Sequence, residues 1–252
     1  MSAQRVLITG GASGIGLATS ALFVSRGARV AVGYLDETQI EAARARLKGA
    51  NLFWTRADIR NQADVEAMTE AVIGEFGGLD VLVNCAGLTG KRAVAPFLDC
   101  PAALTDDIVD TNLKGTIRVS RAVAQAMVRA GRGGVIIHVA SVGGMAAQEH
   151  ASIYCATKAA QIALGQAMAL ELAPHQIRVN CVSPGDIRTE ASEAIVADLQ
   201  AAGASGKYLR VTPLGRRGTA EEVASAIVWL ASPEASFVTG ANLVVDGGFL
   251  AY

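Results

Sequence analysis

Tyr154 and Lys158 are the residues whose types and spacing point most directly to chemistry. They lie four residues apart in a stretch, 152–172, that we predict to be helical, so both side chains emerge on one face. Free tyrosine titrates near pH 10, and lowering its pKa to about 7 takes roughly 4 kcal/mol. A lysine charge about 4 Å away supplies about that much at an effective dielectric near 20. The pair therefore predicts a tyrosine that exchanges a proton with a carbonyl or hydroxyl group.

Ser141 lies thirteen residues before Tyr154, at the end of a predicted strand, where it can face the same cavity. Its hydroxyl would donate a hydrogen bond to the oxyanion that forms when a carbonyl accepts hydride. A Tyr-x-x-x-Lys pair alone is common by chance, and its plain interpretation is a half-buried tyrosine beside a solvated lysine. Ser141 makes that interpretation less favourable.

A glycine-rich turn, TGGASGIG from Thr9 to Gly16, follows the first predicted strand. Gly10 permits a tight turn, Gly14 lets the backbone approach a pyrophosphate, and Gly16 lets helix and strand pack closely. The amides of the following helix attract a diphosphate. The glycine spacing is four then two, unlike GxGxxG, and many such turns need glycine for geometry only. Its place after the first strand nevertheless favours dinucleotide binding.

Strand-like and helix-like segments alternate along almost the whole chain. Continuous apolar runs predict strands at 6–9, 29–34, 52–55, 81–84, 135–139, 177–182 and 243–245, and helices are predicted at 15–26, 37–48, 62–76, 105–130, 152–172 and 220–230. Such strands are covered on both faces. The order predicts an α/β fold, a doubly wound Rossmann-type three-layer sandwich with a seven-stranded parallel sheet. We expect one domain over residues 1–252, with a substrate loop at about 186–218.

Composition excludes several classes of protein. The chain has 252 residues, 51% of them apolar, and a net charge of −1, so it is globular and unsuited to nucleic acid. Its four cysteines and three histidines show no metal-ligand spacing, so we expect no metal. We see neither a signal peptide nor a membrane span, and we expect a cytoplasmic protein without membrane partners.

These motifs together resemble the short-chain dehydrogenase/reductase family, in its short single-domain branch, from Arg5 to Gly248. TGGASGIG fits the family's TGxxxGxG, and the NCAG run at Asn84 fits its NxAG. Ser141, Tyr154 and Lys158 match its catalytic trio. The resemblance implies that Asn112 is a further catalytic residue, which bends a helix and holds a water in a proton relay to Lys158.

The resemblance also implies a set of cofactor contacts. Lys158 binds the nicotinamide ribose, and Asp58 with Ile59 contacts adenine. The nicotinamide is clamped by Pro184 and Gly185 together with Ile187 and Thr189. The full set is Gly10, Ser13, Gly14, Ile15, Gly16, Tyr34, Asp36, Asp58, Ile59, Asn84, Ala86, Gly87, Tyr154, Lys158, Pro184, Gly185, Ile187 and Thr189. His138 stands where the family more often has Asn, and its strand context indicates a satisfied core histidine.

The cofactor is predicted to be NAD in preference to NADP. No Lys or Arg occurs between Val30 and Ala43, and Ser13 stands where phosphate users often carry Arg. Asp36 would accept the ribose hydroxyls and repel a 2′-phosphate. Against this, relatives with a residue like Tyr34 at this strand end often use NADP. Asp36 and Glu37 alternatively serve only to start a helix.

The predicted activity is NAD(P)-dependent interconversion of a small secondary alcohol and a ketone. The short Tyr-to-Lys spacing favours carbonyl chemistry over reduction of a carbon–carbon double bond. One alternative is an NADPH-dependent 3-oxoacyl-acyl-carrier-protein reductase, whose basic patch would be Lys207, Arg210, Arg216 and Arg217. Others are a cofactor-sensing protein without turnover and an assembly protein.

The substrate itself is not predictable. Pocket residues would come from 88–97, 142–150 and 186–218, with Met145, Gln148 and His150 as candidates. The resemblance implies a homotetramer, and a small-residue face of the 152–172 helix could pack against a partner: Ala156, Ala160, Ala163 and Ala167.

Overall fold

The central sheet has seven parallel strands, in a computed structural model that describes residues 3–48, 51–193 and 212–251. Its strands are β1 (Arg5–Thr9), β2 (Arg29–Tyr34), β3 (Leu52–Arg56), β4 (Val81–Asn84), β5 (Gly134–Val139), β6 (Ile177–Pro184) and β9 (Asn242–Val245). Their order across the sheet is β3-β2-β1-β4-β5-β6-β9, and two short strands, β7 (Ile187–Arg188) and β8 (Gly218–Thr219), pair separately. The predicted fold class is confirmed.

Seven α-helices are described in these residues. They are α1 (Gly14–Ser25), α2 (Ile40–Arg46), α3 (Gln62–Phe76), α4 (Ala102–Val109), α5 (Thr116–Ala130), α6 (Ser152–Leu172) and α7 (Ala220–Leu230). Asn61 caps the start of α3, and Gly77, at φ +71°, ends it. The capping box of Thr219 and Glu222 opens α7.

The prediction of a single helix over 105–130 is wrong in its start and in its continuity. The segment begins at Ala102, directly after Pro101, and a π-helical turn, Asp110–Gly115, separates α4 from α5. At this break the Thr116 N–H bonds to the Leu113 oxygen. The predicted helix at 37–48 is likewise divided into a 3₁₀ turn, Glu37–Gln39, and α2.

Two apolar cores lie on the two faces of the sheet. Ile8, Val32, Val83 and Ile137 belong to the core on the α1 and α7 side. Their neighbours along the strands, such as Leu7, Leu82 and Ile136, belong to the core on the side of α3, α5 and α6. Burial of each such side chain stabilises the fold by roughly 1.5–3 kcal/mol, which explains why the strands are apolar on both faces.

The sheet places a crevice above β1. Thr9, at the end of β1, is level with Gly33 of β2 on one side and with Asn84 of β4 on the other. The chain therefore reverses its direction across the sheet at β1, and in open parallel sheets ligands bind at the carboxyl ends of the strands at that point. Within the described residues, no helix is both long enough and apolar enough to cross a membrane.

Candidate active site

The glycine-rich turn packs directly against the turn that follows β4. Gly10 has φ +65°, and a Cβ added there would lie 2.8 Å from the Cα of Ala86. A Cβ on Gly16 would lie 2.1 Å from the Gly10 oxygen. The Thr9 hydroxyl accepts from the N–H groups of Cys85 and Ala86, each at 3.3 Å. Both glycines are therefore required by the backbone geometry.

A cavity of about 500 Å³ opens beside this turn. Across it, a Cβ on Gly14 would lie 3.5 Å from the Thr189 methyl group. Ser13 is the N-cap of α1, but its side chain makes no capping bond. The Cys85 thiol accepts from the Gly16 N–H in the same turn, and the Ser13 hydroxyl leaves the amides nearer the start of the helix uncapped. Exposed amides at a helix N-terminus and a glycine cradle fit the diphosphate of a dinucleotide.

Six further polar residues line this cavity and were not individually predicted, two of them arginines and two glutamates: Thr38, Gln39, Arg46, Arg188, Glu190 and Glu221. The segment without Lys or Arg on which the NAD prediction rests ends at Ala43. Arg46 lies one helical turn after Ala42, which also lines the cavity, so the spacing along the helix was the sequence signal for Arg46. The two guanidinium groups suit a diphosphate.

The predicted trio comes together at the ends of β5 and α6. Ser141 follows β5 and is almost fully buried, and its Oγ accepts from the Gly143 N–H at 3.0 Å. The hydroxyls of Ser141 and Thr89 bond to the Tyr154 phenol and favour its ionised form. The Nζ of Lys158 lies 5.7 Å from the centroid of the Tyr154 ring. The carboxyl end of β5 and the first turns of α6 therefore bring together a phenol, two hydroxyls and an ammonium group.

The pKa of the Tyr154 phenol is raised in this structure, opposite to the lowering that we expected from a lysine at close range. Burial is the largest cause and outweighs the hydrogen bonds from Ser141 and Thr89. The Lys158 ammonium is instead held by the Val139 oxygen at 2.8 Å and the Gln161 Oε1 at 3.0 Å. Burial lowers the pKa of Lys158 to about 8. At neutral pH the phenol is therefore a proton donor beside an ammonium group.

Asn112 lies on the π-helical turn and is fully buried. Its side chain accepts from the Leu88 N–H at 2.7 Å and donates to the Leu88 oxygen at 3.0 Å. Its main-chain oxygen accepts from the Thr116 hydroxyl and from the Gln161 Nε2. Gln161 was not among the predicted site residues, although its position three residues after Lys158 places both on one helix face.

Asn84 joins three elements beneath the site. Its Nδ2 lies 2.9 Å from the Ser120 Oγ of α5 and 3.1 Å from the His138 Nδ1 of β5. Burial lowers the pKa of His138 to about 4, so its ring is neutral. We expected both ring nitrogens of this core histidine to have hydrogen-bond partners. Nδ1 has one, whereas Nε2 has no hydrogen-bond partner among the described residues.

The end of β2 carries two predicted cofactor residues in different settings. Tyr34 is half-buried against the α1-side core. Asp36 is exposed, and its Oδ1 accepts from the N–H and the hydroxyl of Thr38 at 2.9 and 2.7 Å. These bonds lower the pKa of Asp36. Asp36 is thus a fixed anion at the end of β2. It also caps the 3₁₀ turn at Glu37–Gln39, which agrees with the alternative that Asp36 serves to start a helix.

The end of β3 is tied to the π-helical turn. Asp58 pairs with Arg60 at 2.7 Å, which is the main reason that its pKa is lowered. A Cβ on Gly115 would lie 2.7 Å from the Ile59 side chain, so the two residues are in close contact. At the other end of the site, Gly185 donates to the Val245 oxygen at 3.0 Å, and Ile187 is buried.

The predicted substrate side is described in part. Met145 is exposed, and its sulfur lies 3.2 Å from the Asn242 Nδ2. His150 is exposed at φ +60°, and its oxygen accepts from Ala95 at 2.8 Å, which joins the loops 88–97 and 142–150. Of the predicted loop 186–218, residues 194–211 lie outside the described residues, and Lys207 and Arg210 lie among them.

Arg216 and Arg217 both form ion pairs. Arg216 pairs with Glu222, with an N–O distance of 2.6 Å. Arg217 pairs with Asp186 at 2.9 Å and with Glu193 at 2.7 Å. These two arginines are therefore neutralised locally and present no unpaired basic patch.

Comparison with known proteins finds similarity over nearly the whole chain. A protein-family model described as enoyl-(acyl carrier protein) reductase matches residues 10–250. Cis-4-hydroxycyclohexanecarboxylate dehydrogenase of Sinomonas cyclohexanicum is 39% identical over 99% of this chain and 98% of its own. The 3-oxoacyl-acyl-carrier-protein reductase of Salmonella typhimurium is 38% identical over 96% and 95%. The crystal structure of a short-chain type dehydrogenase/reductase from Mycobacterium marinum is 38% identical, with a TM-score of 0.89 over 100% and 97%.

Proposed function

The chain belongs to the short-chain dehydrogenase/reductase family, and from that membership we propose how its own residues carry out the family's chemistry. The protein is an NAD(P)-dependent oxidoreductase that interconverts a secondary alcohol and a ketone. The observation that carries the proposal is the hydrogen bond of the Ser141 hydroxyl to the phenol of the half-buried Tyr154, with the Lys158 ammonium beside the same ring.

The nicotinamide supplies the hydride when the cofactor is bound. Tyr154 gives its proton to the oxygen of the ketone, or takes it from the alcohol in the reverse direction. Ser141 donates a hydrogen bond to the same oxygen. Lys158 holds positive charge beside the phenol, and Asn112 fixes the backbone at Leu88 and at the helix break. We assign these four residues as the catalytic machinery.

The cofactor is proposed to lie along the cavity beside the glycine-rich turn. Gly10, Ser13, Gly14, Ile15 and Gly16 hold the diphosphate. The remaining contacts are assigned to the residues at the ends of the central strands: Tyr34, Asp36, Asp58, Ile59, Asn84, Ala86, Gly87, Pro184, Gly185, Ile187 and Thr189. This placement is supported by the glycine cradle, by the start of α1 that Ser13 leaves uncapped, and by the arginines at 46 and 188.

We propose NAD as the preferred cofactor. The support is the Asp36 carboxylate, which Thr38 fixes in its ionised form at the end of β2. A fixed negative charge at this place favours ribose hydroxyls over a 2′-phosphate.

Two other reactions are less well supported. A 3-oxoacyl-acyl-carrier-protein reductase would use cations to bind its acidic carrier protein, but Arg216 and Arg217 are already paired with carboxylates. Reduction of a carbon–carbon double bond, which the description of the family model names, is disfavoured by the four-residue spacing of Tyr154 and Lys158. A protein that only senses the cofactor does not need the trio of Ser141, Tyr154 and Lys158, which this chain keeps.

Assembly and location are also proposals. The face formed by Ala156, Ala160, Ala163 and Ala167 continues into Leu170, whose side chain is 80% exposed. Such a face suits close packing against a second copy, and we propose a homotetramer. All four cysteines are free thiols, as is usual in the reducing cytoplasm.

The test follows reduced nicotinamide by its absorbance while the protein is mixed with NADH or NADPH and a set of substrates. The set contains cyclic ketones and their alcohols, including cis-4-hydroxycyclohexanecarboxylate, together with acetoacetyl and crotonyl thioesters. We expect turnover with a ketone and NADH. Binding of dinucleotide without any turnover would support the sensing alternative, and reduction of the crotonyl thioester alone would contradict the carbonyl assignment.

A further inference from the structure

Gln161 links the Lys158 side chain to the main chain of the π-helical turn. The residue is 1% exposed, and its amide group lies between α6 and the π-helical turn. Its Oε1 accepts from the Lys158 Nζ at 3.0 Å, and its Nε2 donates to the Asn112 oxygen at 2.7 Å and to the Thr116 hydroxyl at 3.0 Å. Lysine only donates and a carbonyl only accepts, so this orientation of the amide is the only one that satisfies both neighbours.

The Asn112 main-chain oxygen has no lone pair left for a water molecule. It accepts from the Thr116 hydroxyl at 2.8 Å as well as from Gln161, and a carbonyl oxygen has two lone pairs. The Thr116 N–H, which would compete for this oxygen in a regular helix, bonds to Leu113 instead. The π-helical turn therefore presents this oxygen to side chains.

We infer that Gln161 is a positioning residue of the active site, which fixes the Lys158 ammonium to the Asn112 carbonyl through its own side chain in place of a relay water. The inference rests on the proposed function, because it assumes that Lys158 acts on Tyr154. It removes the water-mediated route from Lys158 to Asn112, since an amide does not readily pass on a proton. Lys158 is then a fixed charge held from two sides, by Val139 and by Gln161.

Four other titratable groups face Lys158 from the elements packed around it. They are Cys85 at the end of β4, His138 on β5, Cys181 on β6 and Tyr154 on its own helix. The thiols and the histidine are neutral at neutral pH, because burial raises the pKa of Cys85 to about 11 and of Cys181 to about 12 and lowers that of His138 to about 4. Gln161 and Val139 are thus the acceptors that stabilise the ammonium.

The experiment compares Gln161→Met with Thr116→Val. The first removes the acceptor from Lys158 at nearly constant volume. The second breaks two hydrogen bonds of the same network and leaves both Lys158 contacts intact, so it controls for structural damage. Loss of a hydrogen bond to a charged group is expected to lower the pKa of Lys158 by about one unit.

Two readouts follow this pKa. In ketone reduction with NADH, the fall of kcat/KM at high pH moves to lower pH by about one unit in Gln161→Met and stays in place in Thr116→Val. Unfolding by urea between pH 6 and 9 needs no turnover, and there the rise of stability with pH begins about one unit lower in Gln161→Met. Gln161→Asn, which is too short to hold both contacts, gives a smaller shift in the same direction and replaces Gln161→Met if that variant does not fold.

An unshifted pKa in the folded Gln161 variants, or an equal shift in Thr116→Val, would overturn the inference. Failure of the proposed function is a different result, namely absence of ketone reduction in the unmodified protein. In that case the unfolding measurement still decides whether Gln161 stabilises the charge of Lys158.

Discussion

Replacing Lys158 by methionine should remove a specific dependence of stability on pH. Lys158 is buried, and its pKa in the folded protein is lowered from 10.5 to about 8. Between these two values the unfolded chain holds a proton that the native protein has lost, so the free energy of unfolding rises with pH in this window. Below about pH 8 both states are protonated, and the penalty for burying the charge is constant, roughly 3 kcal/mol.

The magnitude between pH 7 and 9 follows from these two pKa values. Stability of the unmodified protein should increase by about 1 kcal/mol relative to Lys158→Met over this interval. The interval ends at pH 9 because the thiols of Cys85 and Cys181 begin to lose protons in the unfolded chain near that pH. In the folded protein, burial keeps their pKa values at about 11 and about 12. Those thiols oppose the rise at higher pH.

The assay is urea unfolding of both proteins at pH 7, 8 and 9. Lys114→Met, which removes an exposed lysine paired with Asp110, is the control and should keep the rise. Packing changes caused by the methionine shift the curve as a whole and leave its slope with pH unaffected. Parallel pH dependence in the unmodified protein and Lys158→Met would refute the reasoning that Lys158 is held charged at a cost.

Two further perturbations test the cofactor site. Gly16→Ala places a Cβ 2.1 Å from the Gly10 oxygen and should abolish the binding of NADH, measured by its fluorescence. The control Gly74→Ala in α3, where nothing lies within 4 Å of the added Cβ, should retain binding and gain roughly 0.5–1 kcal/mol of stability. Retained NADH binding in Gly16→Ala would count against the glycine cradle. Asp36→Asn should improve kcat/KM with NADP relative to NAD by about tenfold, the repulsion expected between a carboxylate and a doubly charged 2′-phosphate about 6 Å apart in water. An unchanged ratio would remove Asp36 from cofactor selection.

The fold could be predicted because the strands are covered on both faces. Continuous apolar runs at 29–34 and 81–84 have the same bounds as β2 and β4. The capping box at Thr219 likewise marks the start of α7. In these segments the local pattern and the tertiary packing favour the same structure.

The family resemblance implied a bend at Asn112, but no local sequence pattern predicted the π-helical turn there or the hydrogen bonds of Lys158. The π-helical turn is stabilised by Gln161, which lies 49 residues from Asn112 in the chain, and no local pattern around residues 110–115 reports a partner so distant. The pKa direction of Tyr154 failed for a related reason. The spacing to Lys158 is visible in the sequence, but the burial that raises the pKa arises from packing.

Single-turnover reduction of a ketone by NADH in Tyr154→Phe tests the central claim most directly. This variant keeps the ring that packs beside Lys158 and removes only the phenolic proton donor. We predict that NADH binds with an affinity close to that of the unmodified protein, while the rate of NADH oxidation falls by several orders of magnitude. Tight NADH binding with an undiminished rate would contradict the assignment of Tyr154 as the acid of this reaction.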